Sequence, residues 1–177
     1  MNLSQDTKYN KIIKSKEKRM KHILISVIFV FGLLTNLFAN ELTQENVKSF
    51  LLESDKLVLS KNVDKFAELL DEQVDITVAV DFNGKKEKTK LSKSEYLAKT
   101  KEGFTSTQNY VYKILDRKIN IKNELAYITE QVEEKYIYNN QKVVGMSKVN
   151  SEIKLINNEF KIIKIEVILN NIQMNKI

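Results

Sequence analysis

Four long β-like runs, roughly 109–121, 125–138, 142–155 and 159–169, follow one another near the C-terminal end of the chain. Only Lys122-Asn123-Glu124, Asn139-Asn140-Gln141 and Ile156-Asn157-Asn158 separate them. Breaks this short leave no room for a crossover, so each run must fold back beside its neighbour as an antiparallel meander. Side chains alternate between the two faces of a strand, so the meander presents one face that something else must cover.

The segments before it supply that cover. Thr43-Gln44-Glu45-Asn46 opens a helix, with Thr43 as cap and Glu45 suited to the first turn. Val47, Phe50, Leu51, Ser54, Leu57 and Val58 recur at three- and four-residue steps as one stripe. Ser60-Lys61-Asn62 interrupts it, and a second helix over 63–70, capped by Asn62, buries Val63, Phe66, Ala67 and Leu70. Val74 to Val80 alternates as a strand, and Phe82-Asn83-Gly84-Lys85 reads as a hairpin turn, since Asn-Gly accepts positive φ. The lysine-rich run 85–90 reads as a solvated edge strand. Ser92-Lys93-Ser94-Glu95 is a capping box for a third helix that presents Tyr96, Leu97 and Phe104 and ends near Gly103. Helices first and a sheet last define the class as α+β, with N-terminal helices packed on one face of a strongly curved antiparallel sheet.

The N-terminal region concerns location. Met20-Lys21-His22, the apolar run from Ile23 to Phe38 and Ala39 before Asn40 make a secretory signal peptide. Residues 1–39 are thus a basic leader plus signal peptide, with Met20 as an alternative start, and 40–177 form a single domain. The expected location is the periplasm. An uncleaved N-terminal membrane anchor is the alternative, since 23–39 sits at the lower limit of about 17 residues for a span. The leader holds Lys8, Lys11, Lys14, Lys16, Lys18, Arg19 and Lys21 against Asp6 and Glu17. Most of the net charge of +6 therefore leaves with it, and the basic pI does not point to nucleic acid. The chain has no Cys, and its one His, His22, lies in the leader. Cys–His and Ser-His-Asp chemistry and His or Cys metal sites are therefore excluded from residues 40–177. No cofactor and no metal are expected.

The order of elements resembles the nuclear transport factor 2-like superfamily, including its SnoaL-like and steroid-isomerase-like members, a cystatin-like cone. The resemblance covers nearly all of 43–169. It is carried by the helix break Ser60-Lys61-Asn62-Val63-Asp64-Lys65-Phe66, by 78–84 and by Leu91-Ser92-Lys93-Ser94-Glu95-Tyr96-Leu97. The closing 157–165, Asn-Asn-Glu-Phe-Lys-Ile-Ile-Lys-Ile, adds to it. Lys61-Asn62 stands where Gly-Asp is common, and Phe160 where Trp is common. The resemblance implies a conical pocket between the helices and the concave sheet face, and members that often pair through the convex face.

A steroid-isomerase-like site implies a base at Asp81 and two acidic hydrogen-bond donors near Ser54 and Ser151. Serine hydroxyls are far weaker acids than the donors that chemistry needs, and dehydratase-like members rely on His. Asp81 also has a plain reading as a turn residue that hydrogen-bonds nearby amides. Glu130 shares a strand face with Ala126, Ile128 and Val132, so it points into the pocket as polar anchor or proton acceptor; the alternatives are that this face is outward or that Glu130 pairs with Lys148 or another cross-strand lysine. Tyr110, Tyr112, Tyr127, Tyr136 and Tyr138 could form a ligand-stacking platform but read first as strand-packing tyrosines, and Glu133-Glu134-Lys135 reads as solvated surface.

The candidate pocket residues are Phe50, Ser54, Phe66, Tyr96, Glu130 and Ser151. The leading functional expectation is an exported domain that binds a small apolar or amphipathic ligand, or a protein partner. One alternative is a cofactor-independent lyase or isomerase using Asp81 or Glu130 as base. Another is a structural protein that forms a homodimer through its sheet, with membrane contact only through the signal peptide during export.

Overall fold

The computed structural model describes residues 41–82 and 85–176, and only the backbone of 81, 82, 85 and 86. The leader, the signal segment and the Asn83-Gly84 turn lie outside the described residues, as does the side chain of Asp81. Among the described residues three helices, α1 (Gln44–Ser60), α2 (Val63–Ala67) and α3 (Lys93–Ser106), accompany six strands. The strands are β1 (Leu70–Phe82), β2 (Lys85–Leu91), β3 (Gln108–Lys122), β4 (Leu125–Tyr138), β5 (Gln141–Ile156) and β6 (Glu159–Lys176).

Local chemistry sets the boundaries. Thr43 Oγ1 accepts from the Asn46 N–H at 3.2 Å, and Asn62 Oδ1 accepts from the Lys65 N–H at 3.2 Å. Lys61 ends α1 in the left-handed region at φ 56°, with its N–H donating to Leu57 and Val58 carbonyls. Ser92 and Glu95 form the reciprocal capping box of α3. Each meander turn places two consecutive residues at positive φ: Asn123 and Glu124, Asn139 and Asn140, Asn157 and Asn158. Asn tolerates that region better than most residues, and paired positive φ matches the strand twist of two-residue hairpins.

The strands form one sheet in the order β2-β1-β6-β5-β4-β3, curled but not closed. Register shifts occur on β1, β3, β5 and β6, among them Ile114/Asp116 and Met146/Ser147. Such bulges bend a strand and deepen its twist. The helices pack against one face: α1 contacts β3, and α3 contacts β1 and β2. Between them lies a continuous core that includes Val47, Leu51, Phe66, Tyr96, Ile76, Ile128, Ile165 and Val167.

The structure departs from the sequence expectation in four places. The sheet is not wholly antiparallel, because β1 runs parallel to β6. The second helix stops at Ala67 rather than Leu70, since the Leu69 carbonyl accepts the Ile162 N–H at 2.8 Å and Leu70 already pairs with Ile162. The third helix continues past Gly103 to Ser106, closed by Thr107 Oγ1 donating to the Gly103 carbonyl at 2.8 Å. The last strand runs on to Lys176, where its mostly exposed end pairs with the first half of β5. In the first and last of these, a neighbouring strand's free backbone groups override local apolar patterning.

Candidate functional site

Cross-strand register arranges the inward residues of the sheet in layers. One layer joins Ile76, Ile165, Ser151 and Ile128 across β1, β6, β5 and β4. The next joins Val78, Val167, Val149, Glu130 and Arg117. A further layer places Ile172, Gly145, Glu134 and Tyr112 side by side. Polar side chains gather on the β3–β5 part of this face, beneath α1.

At their centre is an ionic triad. Arg117 donates from Nη1 and Nη2 to Asp55 Oδ2 and Oδ1 at 2.9 and 2.7 Å, a bidentate fork, and from Nε to Glu130 Oε1. The fork locks α1 to β3. Glu130 is fully buried, with Arg117 and Asp55 only slightly exposed. Burial pushes the Glu130 carboxyl up to about 7 against the opposing pull of Arg117. Asp55 is also raised by burial, with Arg117 opposing. Burial lowers the proton affinity of the Arg117 guanidinium, but the two carboxylates outweigh it and hold the charge firmly in place.

The guanidinium is used on all sides, yet Glu130 Oε2 has no hydrogen-bond partner. Neither do the buried Tyr112 hydroxyl, Ser54 Oγ and Ser151 Oγ. Burial drives the Tyr112 hydroxyl well above its ordinary range, followed by the charge of Glu130. An unmet buried polar group costs about 1–3 kcal/mol, and four gather here, three on the sheet and Ser54 on α1.

A second carboxyl lies four residues along β4. Glu134 is 2% exposed, and the Tyr110 hydroxyl donates to its Oε1. Burial pushes it up to about 8, with the Tyr110 hydrogen bond opposing. Tyr110 meets Phe104 edge-on at 5.4 Å and stacks on Tyr136 at 6.4 Å. The expectation that Glu133-Glu134-Lys135 is solvated surface fails at Glu134, because alternation from Glu130 through Val132 carries it to the inner face.

The candidate residues named from sequence are placed as follows. Glu130 faces inward and pairs with Arg117, not with Lys148. Ser54 and Ser151 are buried on α1 and β5. Phe66 and Tyr96 are buried and pack together at 6.1 Å. Phe50 is partly buried and meets Phe160 edge-on at 5.5 Å. Asp81 has only its backbone described, paired with Lys86. Asp55 and Arg117 carry no expectation from sequence, whereas Tyr112 reads there as a strand-packing tyrosine and Glu134 as solvated surface. A signal for Arg117 exists: inward apolar residues run 110, 112, 114 and then 119, 121, a change of parity that places 117 inward.

An open groove of about 590 Å³ lies elsewhere, at the α2–β1 junction beside the β5–β6 turn. Its lysines are committed: Lys93 Nζ donates to the Leu70 carbonyl at 2.9 Å and to Glu72 at 2.7 Å, and Lys161 Nζ to the Glu68 carbonyl at 2.9 Å. Among the described residues no group of three or more His, Cys, Asp or Glu is placed to hold a metal ion.

No protein-family profile matches the chain, and no curated protein matches it in sequence. Solved structures do match. A putative Ca/calmodulin-dependent kinase II association domain from Exiguobacterium sibiricum 255-15 is 14% identical, with a TM-score of 0.57 over 74% of this chain and 97% of that one. An NTF2-like protein from Cytophaga hutchinsonii ATCC 33406 is 16% identical, with a TM-score of 0.54 over 73% and 100%. A putative scytalone dehydratase from Novosphingobium aromaticivorans DSM 12444 is 10% identical, with a TM-score of 0.57 over 75% and 91%. The chain has the nuclear transport factor 2-like fold.

Proposed function

We propose that this is an exported small-ligand-binding domain whose site is the polar part of the inner sheet face. What supports the reading is the set of four buried polar atoms without protein partners: Ser54 Oγ, Tyr112 OH, Glu130 Oε2 and Ser151 Oγ. A core selected for stability alone would pair such atoms or replace them with apolar ones. Apolar neighbours such as Ile128, Val132 and Val149 would embrace the body of an amphipathic ligand while the free oxygens fix its orientation. The fold by itself does not decide the matter, because likeness spans a kinase association domain and a putative dehydratase.

Native mass spectrometry of the protein purified from its own exported compartment tests this. The expected result is a bound small molecule that is lost in Glu130→Gln, with the variant still folded. A ligand-free spectrum at every protein concentration would sink the reading.

A second reading rests on one further observation. Glu130 is anchored through one oxygen, keeps the other free, and has its carboxyl near 7, which suits proton transfer at neutral pH. Under it Glu130 is the base of a cofactor-independent lyase or isomerase. Turnover of the co-purified molecule, lost in Glu130→Gln while binding persists, distinguishes it.

A further inference from the structure

Three carboxyl groups, Asp55, Glu130 and Glu134, gather over β3–β5 beside the Arg117 guanidinium. Each of its three nitrogens donates to Asp55 or Glu130. An anionic ligand would therefore find the guanidinium already engaged, and Asp55, Glu130 and Glu134 outnumber Arg117 and Lys61 here. What the face offers instead is acceptors and aromatic rings.

The Glu134 end has room. Gly145 lies opposite Glu134 on β5, and among the described residues a Cβ added there would meet no atom within 4 Å. Tyr110, Tyr136 and Phe104 form a cluster of rings beside it. That cluster already faces a cation: Lys61 Nζ stands 5.5 Å from the Phe104 ring centroid and 5.9 Å from that of Tyr110. Ring faces attract ammonium groups within about 6 Å. A buried carboxyl stays protonated for want of a countercharge, and a cation in the space over Gly145 would supply it.

Resting on the ligand-binding reading above, we infer that the ligand is a small organic cation, a primary amine with an apolar or aromatic body. Its ammonium sits between Glu134 and the Tyr110–Phe104–Tyr136 rings over Gly145, and its body extends toward Glu130 and Tyr112. The groups that face this position are Asp55 on α1, Lys61 after α1, Tyr110, Tyr112 and Arg117 on β3, and Glu130, Glu134 and Tyr136 on β4. Binding moves the Glu134 proton to solvent, so affinity rises as pH increases from 6 to 8.

Benzylamine, benzyl alcohol and benzoate share one ring and differ in charge, so they test the inference by calorimetry and thermal shift on the purified protein. Benzylamine is expected to bind, to raise Tm by about 5 °C at ten times its Kd, and to release protons in a buffer-dependent heat. Glu134→Gln should weaken it at least about tenfold, as loss of a charged hydrogen bond does. Gly145→Val should abolish binding by filling the space while Tm holds or rises, because a β-branched residue suits a strand interior better than glycine. Benzyl alcohol or benzoate binding as well as the amine overturns the cationic class and leaves a ligand-binding hollow. Amine binding that survives Gly145→Val unchanged overturns the location. No binding of any of the three overturns the inference, while the co-purified ligand still decides the broader reading.

Discussion

Along β1 and β6 the inward positions hold Ile76, Val78, Val80, Ile165, Val167 and Leu169, whereas β3, β4 and β5 place Tyr112, Arg117, Glu130, Glu134, Ser147 and Ser151 at equivalent depth. Both parts are equally hidden from solvent and belong to one sheet, so exposure does not explain the contrast. The β1–β6 part is a continuous apolar surface, and its burial stabilises the fold at about 25 cal/mol per Å². The β3–β5 part removes two carboxyls and a guanidinium from water and leaves three polar atoms unmet, on Tyr112, Glu130 and Ser151. Buried ion pairs are weak sources of stability compared with apolar residues of similar volume. One half of the face holds the domain together, and the other half is the one on which the proposed ligand site rests.

The largest effect expected from breaking this contrast is at Arg117. Arg117→Met leaves Asp55 and Glu130 without their shared countercharge and should cost about 3–5 kcal/mol, since removing one partner strands the others. Ile165→Ala, in the apolar half, should cost about 2–5 kcal/mol through lost burial and the cavity left behind. Urea unfolding at pH 7 measures both. The diagnostic difference lies in rescue: adding Asp55→Asn and Glu130→Gln to Arg117→Met should recover most of the loss, because the stranded charges are then gone. If Arg117→Met costs less than Ile165→Ala by more than twofold, the triad is not the clamp between α1 and β3 described above.

A middle-sized effect should appear as pH dependence confined to the polar half. Glu130 and Glu134 carry folded-state values of about 7 and about 8, above the ordinary 4.5. The folded protein therefore binds more protons than the unfolded chain between those limits, and stability falls as pH rises. Stability contributed by the protonated carboxyls is complete below about 4.5 and is lost through about 7 for Glu130 and about 8 for Glu134. Stability, and Tm with it, should decline from pH 5 to pH 8, by roughly 1.4 kcal/mol per pH unit for each carboxyl that is protonated only in the folded state. Glu134→Gln should remove its share of that slope over the whole range from about 4.5 to about 8, leaving only the Glu130 share below about 7 and a flat curve above it. An unaltered curve in Glu134→Gln would remove Glu134 from the account.

Much of the apolar half was legible in the chain, and less of the polar half. Period-two alternation placed Glu130 inward, and Asn-rich breaks fixed the hairpins because Asn tolerates positive φ. The same alternation reaches Glu134, but its neighbours Glu133 and Lys135 make the local stretch look like solvated surface. Arg117 was obscured by the bulge between Ile114 and Asp116, which shifts the inward parity by one residue. Asp55 sits beside an apolar stripe on α1, where only the partner strand shows that it is held rather than solvated. The parallel β1–β6 pairing joins the first strand to the last, a contact that no local pattern encodes.

The smallest expected effect is the sharpest test of the contrast. Ser151 is 3% exposed and its Oγ has no partner, in the layer that contains Ile76, Ile165 and Ile128. Ser151→Ala removes an unmet hydroxyl without opening a sizeable cavity, so it should leave stability unchanged or raise it by up to about 1 kcal/mol. Truncating a neighbour in the same layer, Ile165→Ala, has the opposite sign. The hydroxyl is then retained for something other than folding, and its value should reappear as weakened binding of the co-purified molecule. A loss of about 1 kcal/mol or more in Ser151→Ala would mean that the hydroxyl serves the fold. It would then belong with the apolar half, and the boundary between the two would move toward Glu130.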